Sequence, residues 1–86
     1  YRSSGEESLE EAARTSEGTR QKELDINLWL AAGNGDRAAV VRLFEEGANP
    51  NAIVGYGEYK TALNAAIMRG KKEVVKALIQ LGAKLL

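Results

Sequence analysis

A self-similarity at an offset of 35 residues constrains this chain more than any other feature of its sequence. The matching pairs are Gly35 and Gly70, Gly47 and Gly82, Ala48 and Ala83, Ala31 and Ala66, Leu28 and Leu63, Val40 and Val75, Leu43 and Leu78, and Phe44 and Ile79. A repeat at a period of roughly 20–50 residues is typical of folds in which similar units stack side by side. The 86 residues have room for one small domain of two such units.

The second unit predicts two short helices, near 61–69 and 71–81. Thr61 is a suitable N-cap, because its hydroxyl can accept a hydrogen bond from a free backbone N–H of the first turn. Gly70 separates the helices, and Gly82 suits the left-handed residue that follows a helix. The second helix places a series of apolar residues at helical spacings, as expected of a buried face: Val74, Val75, Leu78, Ile79 and Leu81.

The first unit predicts helices near 25–33 and 37–46. Asp25 or Asn27 could cap the first of these helices, and Asp36 the second. The residues predicted to face inward are Leu24, Leu28, Ala31, Ala32, Val40, Leu43 and Phe44.

Both units resemble ankyrin repeats over about residues 24–86. TALNAA, from Thr61, resembles the Thr-Pro-Leu-His-x-Ala opening of that family, although Ala62 replaces Pro and Asn64 replaces His. GKKEVVKALIQLGA and GDRAAVVRLFEEGANPN resemble its second helix and exit. The resemblance implies an all-α helix-turn-helix solenoid of two repeats, 24–51 and 52–86, with a hairpin-like finger between them.

Residues 47–60, called the finger here, are unusually apolar for a loop. Asn49-Pro50-Asn51 predicts a turn, and Gly55 and Gly57 supply permissive backbone. Two interpretations stay open: the apolar residues fold back onto the helices, or its tyrosines are exposed contact residues. The family resemblance implies protein binding by the finger and the ends of the inner helices, at Asn34, Ile53, Val54, Tyr56, Glu58, Tyr59, Lys60, Met68 and Arg69.

Trp29 stands where the family usually has the His of its opening motif. Its indole either packs at the N-terminal edge of the stack, as the large apolar area of Trp favours, or contacts a ligand.

Residues 1–23 are polar and predict an N-terminal arm, mobile or loosely docked. Ser4 followed by Glu7 resembles a capping box, and a short helix over 6–14 is compatible with it. A helix this short is marginal in water. In the alternative interpretation, Leu9 docks the arm on the first repeat and protects its open end.

The composition disfavours an enzyme. The chain has no His and no Cys, so the usual bases, nucleophiles and soft metal ligands are missing, and we expect no catalytic, metal or cofactor site. Gly55-Tyr56-Gly57 lacks the rest of a phosphate-binding loop. Net charge is zero, so the basic cluster of Arg69, Lys71, Lys72 and Lys76 predicts a solvated face rather than nucleic-acid binding. No apolar run approaches a membrane span, and the absence of Cys fits an intracellular, cytoplasmic or nuclear, protein.

The last helix carries an apolar row whose counterparts in the first repeat, Ala39, Arg42 and Glu46, are more polar. Terminal repeats normally turn a polar face to water. We therefore expect further repeats, a second copy of the chain in a homodimer, or a partner to cover a C-terminal face formed by Val74, Ala77, Leu81, Leu85 and Leu86. Two functions follow: a protein-interaction module, or a structural segment of a longer array or self-associating regulatory fragment. The chain opens on Tyr, as a fragment or processed product would.

Overall fold

The computed structural model describes residues 19–85, and this part of the chain is helical without strands. Helix α1 covers 19–34, α2 Arg37–Glu45, α3 Ala62–Met68 and α4 Lys72–Gln80, and a short 3-10 turn covers Gly57–Tyr59. The bounds of α2, α3 and α4 agree with the predicted helices to within one residue. The predicted all-α solenoid of helix pairs is therefore confirmed.

Both helix pairs end with the same backbone geometry. Gly47 and Gly82 have φ of 111° and 99°, a region in which a side chain is strained and glycine is not. The hydrogen bonds that close the two ends also correspond: Ala48 N–H donates to the Leu43 carbonyl at 3.0 Å, and Ala83 N–H to the Leu78 carbonyl at 2.9 Å. The repeat seen in the sequence is thus a repeat of structure.

Two predicted N-caps are present. The Asp36 carboxylate accepts a hydrogen bond from Ala39 N–H at 3.1 Å, and the Thr61 hydroxyl accepts one from Asn64 N–H at 3.1 Å. Each satisfies a backbone donor that the first turn of a helix leaves free. Thr61 is fully buried, so its hydroxyl would be costly without that partner.

Helix α1 is longer than predicted, because it already includes residue 19, the first one described. Asp25 therefore lies inside the helix, and the prediction that it or Asn27 caps α1 is wrong. The Asp25 carboxylate instead accepts hydrogen bonds from the Gln21 side chain at 2.9 Å and from Asn49 N–H at 2.8 Å. The expectations for a helix over 6–14 and for Leu9 lie outside the described residues, and the division at residue 23 remains a prediction.

The core is built from small and medium-sized aliphatic side chains. Its members are Leu24, Leu28, Ala31, Ala32, Val40, Leu43, Ala48, Ala62, Leu63, Ala66, Val74, Leu78 and Ala83. Phe44 is half-buried, and Ile79 is 57% exposed, so the prediction that Ile79 faces inward is wrong. Periodicity included Ile79 because it follows Leu78 on the edge of the buried stripe.

The predicted C-terminal face is also wrong for two of its residues. Val74 and Ala77 are buried within the chain, and Leu81 is half-buried against the core. Their counterparts Ala39 and Arg42 are more exposed, and in the described part of the chain no helix pair precedes the pair formed by α1 and α2. This pattern places Val74 and Ala77 on the side of α4 that packs toward α2. Leu85 is exposed, and Leu86 lies beyond the described residues.

Candidate functional site

A groove lies between the finger and the inner helices α1 and α3. Its cavity volume is about 420 Å³, at the small end of ligand pockets in proteins. The residues that line this groove, called the aromatic groove here, are Trp29, Leu30, Gly33, Asn34, Val54, Gly55, Tyr56, Tyr59, Ala65 and Arg69.

The finger side of the groove is a closed loop. The N–H groups of Val54 and Gly55 both donate to the Lys60 carbonyl, at 2.7 and 3.2 Å, and Tyr59 N–H donates to the Tyr56 carbonyl at 3.0 Å. These bonds bring the two arms of the loop together as in a hairpin, without a strand among residues 47–60. These backbone hydrogen bonds restrict the conformations that the tip of the loop can adopt.

Trp29 fixes this loop to α1. Its indole N–H donates to the Tyr59 carbonyl at 2.6 Å. The ring lies so close to Gly55 that a Cβ there would come within 2.8 Å of Trp29 Cζ2, so a larger residue would displace the indole. Trp29 thus packs within the chain, as its apolar area favours, and also lines the groove. It is a positioning residue for the finger.

The structure separates the predicted contact residues into groups. Five of them line the aromatic groove: Asn34, Val54, Tyr56, Tyr59 and Arg69. Glu58, Lys60 and Met68 lie around a second, shallower depression, beside Asn64, Ile67 and Leu85. Ile53 lies on the opposite side of the finger, near Ile26. The nine residues therefore do not form one continuous pocket.

The exposure of the finger residues differs along the loop. Tyr56 is 92% exposed and Ile53 69%, whereas Val54 is half-buried and Tyr59 is 39% exposed. The Arg69 guanidinium carbon lies 6.0 Å from the centre of the Tyr59 ring, the outer limit of a cation–π contact. Both open interpretations apply to part of the loop: Val54 folds back, and Tyr56 projects into solvent.

Four groove residues were not predicted as contacts: Leu30, Gly33, Gly55 and Ala65. Leu30 is 48% exposed and lies one turn after the exposed Ile26 on α1. Ile26 and Leu30 are apolar residues outside the buried face of α1, and this feature of the sequence could have indicated a role for Leu30. Gly33 has no side chain, and the Arg69 side chain passes 3.6 Å from the position that a Cβ would take there. A sequence pattern does not reveal such a contact.

The described region offers few side chains for catalysis or metal binding. Residues 19–85 hold no cluster of three metal-ligating side chains, and their helices are too short or too polar to cross a membrane. The groove has one ionised side chain, Arg69, among apolar and neutral ones. This arrangement can bind an apolar group and an anion.

Comparison with known protein families gives a match. The family model described as ankyrin repeats, three copies, matches residues 28–85, which include the C-terminal part of α1, helices α2 to α4 and the finger. No curated protein matches the chain.

Proposed function

Because the chain belongs to the ankyrin repeat family, we propose that it is a non-catalytic module that binds a protein partner through the finger and the inner helices. Ankyrin repeats are generally protein–protein interaction modules. An intracellular location and independence of any cofactor are parts of the same proposal.

The observation that most supports this proposal is an exposed aromatic side chain on a hydrogen-bonded loop. Tyr56 is 92% exposed at the edge of the aromatic groove, yet the loop that carries it is closed on itself and bonded to Trp29. Aromatic side chains are enriched at the centres of protein interfaces. The bonded backbone of this loop has less conformational freedom to lose on binding, which favours affinity.

The test is site-specific photo-crosslinking in the source cell, with benzoylphenylalanine in place of Tyr56. The same group at Glu45, exposed on α2 away from the finger, is the control. We expect a crosslinked protein at Tyr56 that is absent at Glu45. With that protein purified, Tyr56→Ser should weaken binding about 30-fold, equivalent to losing about 2 kcal/mol of an aromatic anchor.

Two outcomes would contradict the proposal. Equal crosslinking at both positions would show that the groove is not the contact surface. Unchanged affinity of Tyr56→Ser, with circular dichroism showing the same fold, would remove Tyr56 as an anchor.

A group of exposed apolar residues on the second repeat supports a second candidate function, self-association. Ile67 is 43% exposed, Ile79 57%, and Val75 is half-buried, and we call these three residues the end surface. In the first repeat the same register positions are Ala32 and Val40, which are buried, and Phe44, which is half-buried, and there α2 packs against α4 of the second repeat. The end surface is therefore apolar, and its positions are equivalent to positions at which the first repeat faces the second.

We propose that a second copy of the chain covers the end surface through a twofold contact. Head-to-tail stacking would place the Arg42 side of α2 against it, and Arg42 with its exposed partner Glu46, 3.7 Å away, is a poor match for isoleucines. A twofold contact instead brings the same apolar residues together.

Sedimentation across a wide concentration range tests the dimer. The chain should dimerise, Ile79→Glu should prevent it, and Gln80→Glu, at the exposed neighbouring position, should not. A monomer at every concentration would contradict this second candidate and leave the aromatic groove unaffected.

A further inference from the structure

We infer that the aromatic groove binds a partner segment in which an apolar side chain is next to Asp or Glu, with that carboxylate paired to Arg69. The inference rests on the proposed function, because it names the chemistry of the partner at the same site. It follows from the shape of the groove, its charge, and the position of Arg69.

The interior of the groove fits one large apolar side chain. Its walls are Trp29, Leu30, Val54, Tyr59 and Ala65, and its volume is about 420 Å³. Burying an aromatic or leucine-sized side chain between them would remove apolar surface from water on both partners, which drives association.

The charge at the groove is of one sign. Arg69 is the ionised residue among those that line it, and no carboxylate is among them. Within residues 19–85, the ion pair found is Arg42–Glu46 on α2, so no described acidic residue neutralises Arg69. An anionic group on the partner is the complement of this surface.

Arg69 also lies between two of the groove's residues, Gly33 and Tyr59. Its side chain passes 3.6 Å from where a Cβ on Gly33 would stand, and its guanidinium lies over Tyr59. A guanidinium at this distance from a ring has N–H donors available in its plane, and it can bind a carboxylate through two parallel hydrogen bonds. The cation is therefore positioned beside the apolar cavity before a partner arrives.

A nucleic acid fits these observations less well. A strand would need a line of cations along its phosphates. Glu58 lies at the neighbouring depression together with Lys60, so the surface next to the groove is mixed in charge. One cation beside an apolar cavity suits one carboxylate.

The probes are two acetylated, amidated pentapeptides, Ala-Phe-Asp-Gly-Ser and its Asn counterpart Ala-Phe-Asn-Gly-Ser. Trp29 is the only tryptophan in the chain, so its indole N–H gives a single side-chain signal in a nitrogen–proton correlation spectrum. The Asp peptide should move that signal in a saturable way and bind about five-fold more tightly than the Asn peptide, as a charge-assisted hydrogen bond predicts.

Variants assign that difference to Arg69. With Arg69→Gln the two peptides should bind equally, whereas Lys72→Gln, an exposed position on α4, should keep the five-fold difference within a factor of about two. Arg69→Lys retains the charge without the planar fork and should keep part of the difference. The unchanged dispersion of the backbone signals checks the fold of each variant.

Several results would overturn the inference. These are equal affinity of the two peptides for the unmodified chain, a difference that survives Arg69→Gln, no shift with either peptide, or a single-stranded DNA oligomer that binds more tightly than the Asp peptide and depends on Arg69. Crosslinking of a protein partner at Tyr56 would still support the proposed function in each case, so the two proposals fail separately.

Discussion

The two repeats have the same register but different neighbours, and their buried surfaces differ for that reason. Ala32 and Val40 of the first repeat are fully buried, whereas the equivalent Ile67 is 43% exposed and Val75 half-buried. In the pair of Ala32 and Ile67, the larger side chain, that of Ile67, is the more exposed one. Burial at these positions is therefore determined by whether another helix pair follows.

On the opposite side of α2 and α4, the residues of the second repeat are the more buried ones. Val74 and Ala77 are buried, and the equivalent residues of the first repeat, Ala39 and Arg42, are half-buried and exposed. Each helix pair thus has one surface for the pair before it and one for the pair after it. The first repeat lacks a described neighbour on one side and the second repeat on the other.

The loops that leave the two repeats are held by different residues. Gln21 donates to the Gly47 carbonyl at 3.0 Å, and Asp25 accepts from Asn49 N–H. At the equivalent places in the second repeat, Asn51 alone does both, since it donates to the Gly82 carbonyl at 3.3 Å and accepts from Lys84 N–H at 2.8 Å. In the first repeat, side chains from the N-terminal turns of α1 form hydrogen bonds with the exit loop. In the second repeat, a side chain from the preceding loop forms them.

The strongest test of this comparison is a pair of adjacent substitutions on α4. Leu78→Ala should lower the free energy of unfolding by about 2–5 kcal/mol through lost burial and a cavity, because Leu78 is fully buried. At a protein concentration low enough to keep the chain monomeric, Ile79→Ala should change it by no more than about 0.5 kcal/mol, as is usual at exposed positions. Urea unfolding followed by circular dichroism measures both, and similar losses would mean that Ile79 is covered in solution.

Much of this organisation could be predicted from the sequence, because the repeat and its glycines are local signals. The start of α1 was missed, since residues 19–23 have no apolar periodicity and the helix is held there by the bonds of Gln21 and Asp25 to a distant loop. Periodicity also predicted an apolar side containing Val74, but it does not show which neighbour that side faces. Likewise, the apolar composition of the finger indicated Tyr56 as a contact residue. The presence of Leu30 in the groove depends instead on how α1 packs against the finger, which the sequence pattern does not show.

The next test overfills a covered position. Ala32→Ile places the residue found at position 67 in the fully buried equivalent site, where added carbons force neighbours apart. Overpacking of this kind costs about 1–3 kcal/mol. Urea unfolding should show this loss, and wild-type stability would mean that the two repeats can separate enough to admit a larger side chain.

A smaller effect is expected where the two exit loops are held. Asn51→Ala removes an acceptor from Lys84 N–H and a donor from the Gly82 carbonyl, and it should destabilise the chain by about 1–2 kcal/mol. Asp25→Ala is the matched variant of the first repeat and should cost a similar amount. Hydrogen exchange of the Lys84 and Asn49 amides locates each effect, and protection of Lys84 that survives Asn51→Ala would contradict the assigned role.

The smallest effect is expected for Ile67→Ala, the reverse of the substitution at position 32. Ile67 is 43% exposed, so its truncation should change the free energy of unfolding of the isolated chain by no more than about 0.5 kcal/mol. The measurement is made at two protein concentrations, because a chain that dimerises through the end surface gains stability as concentration rises. If the dimer forms, Ile67→Ala should remove part of that gain and leave the stability at low concentration unchanged. A large loss at low concentration would instead show that Ile67 is buried within a single chain, and the contrast between the two repeats would then be wrong at this position.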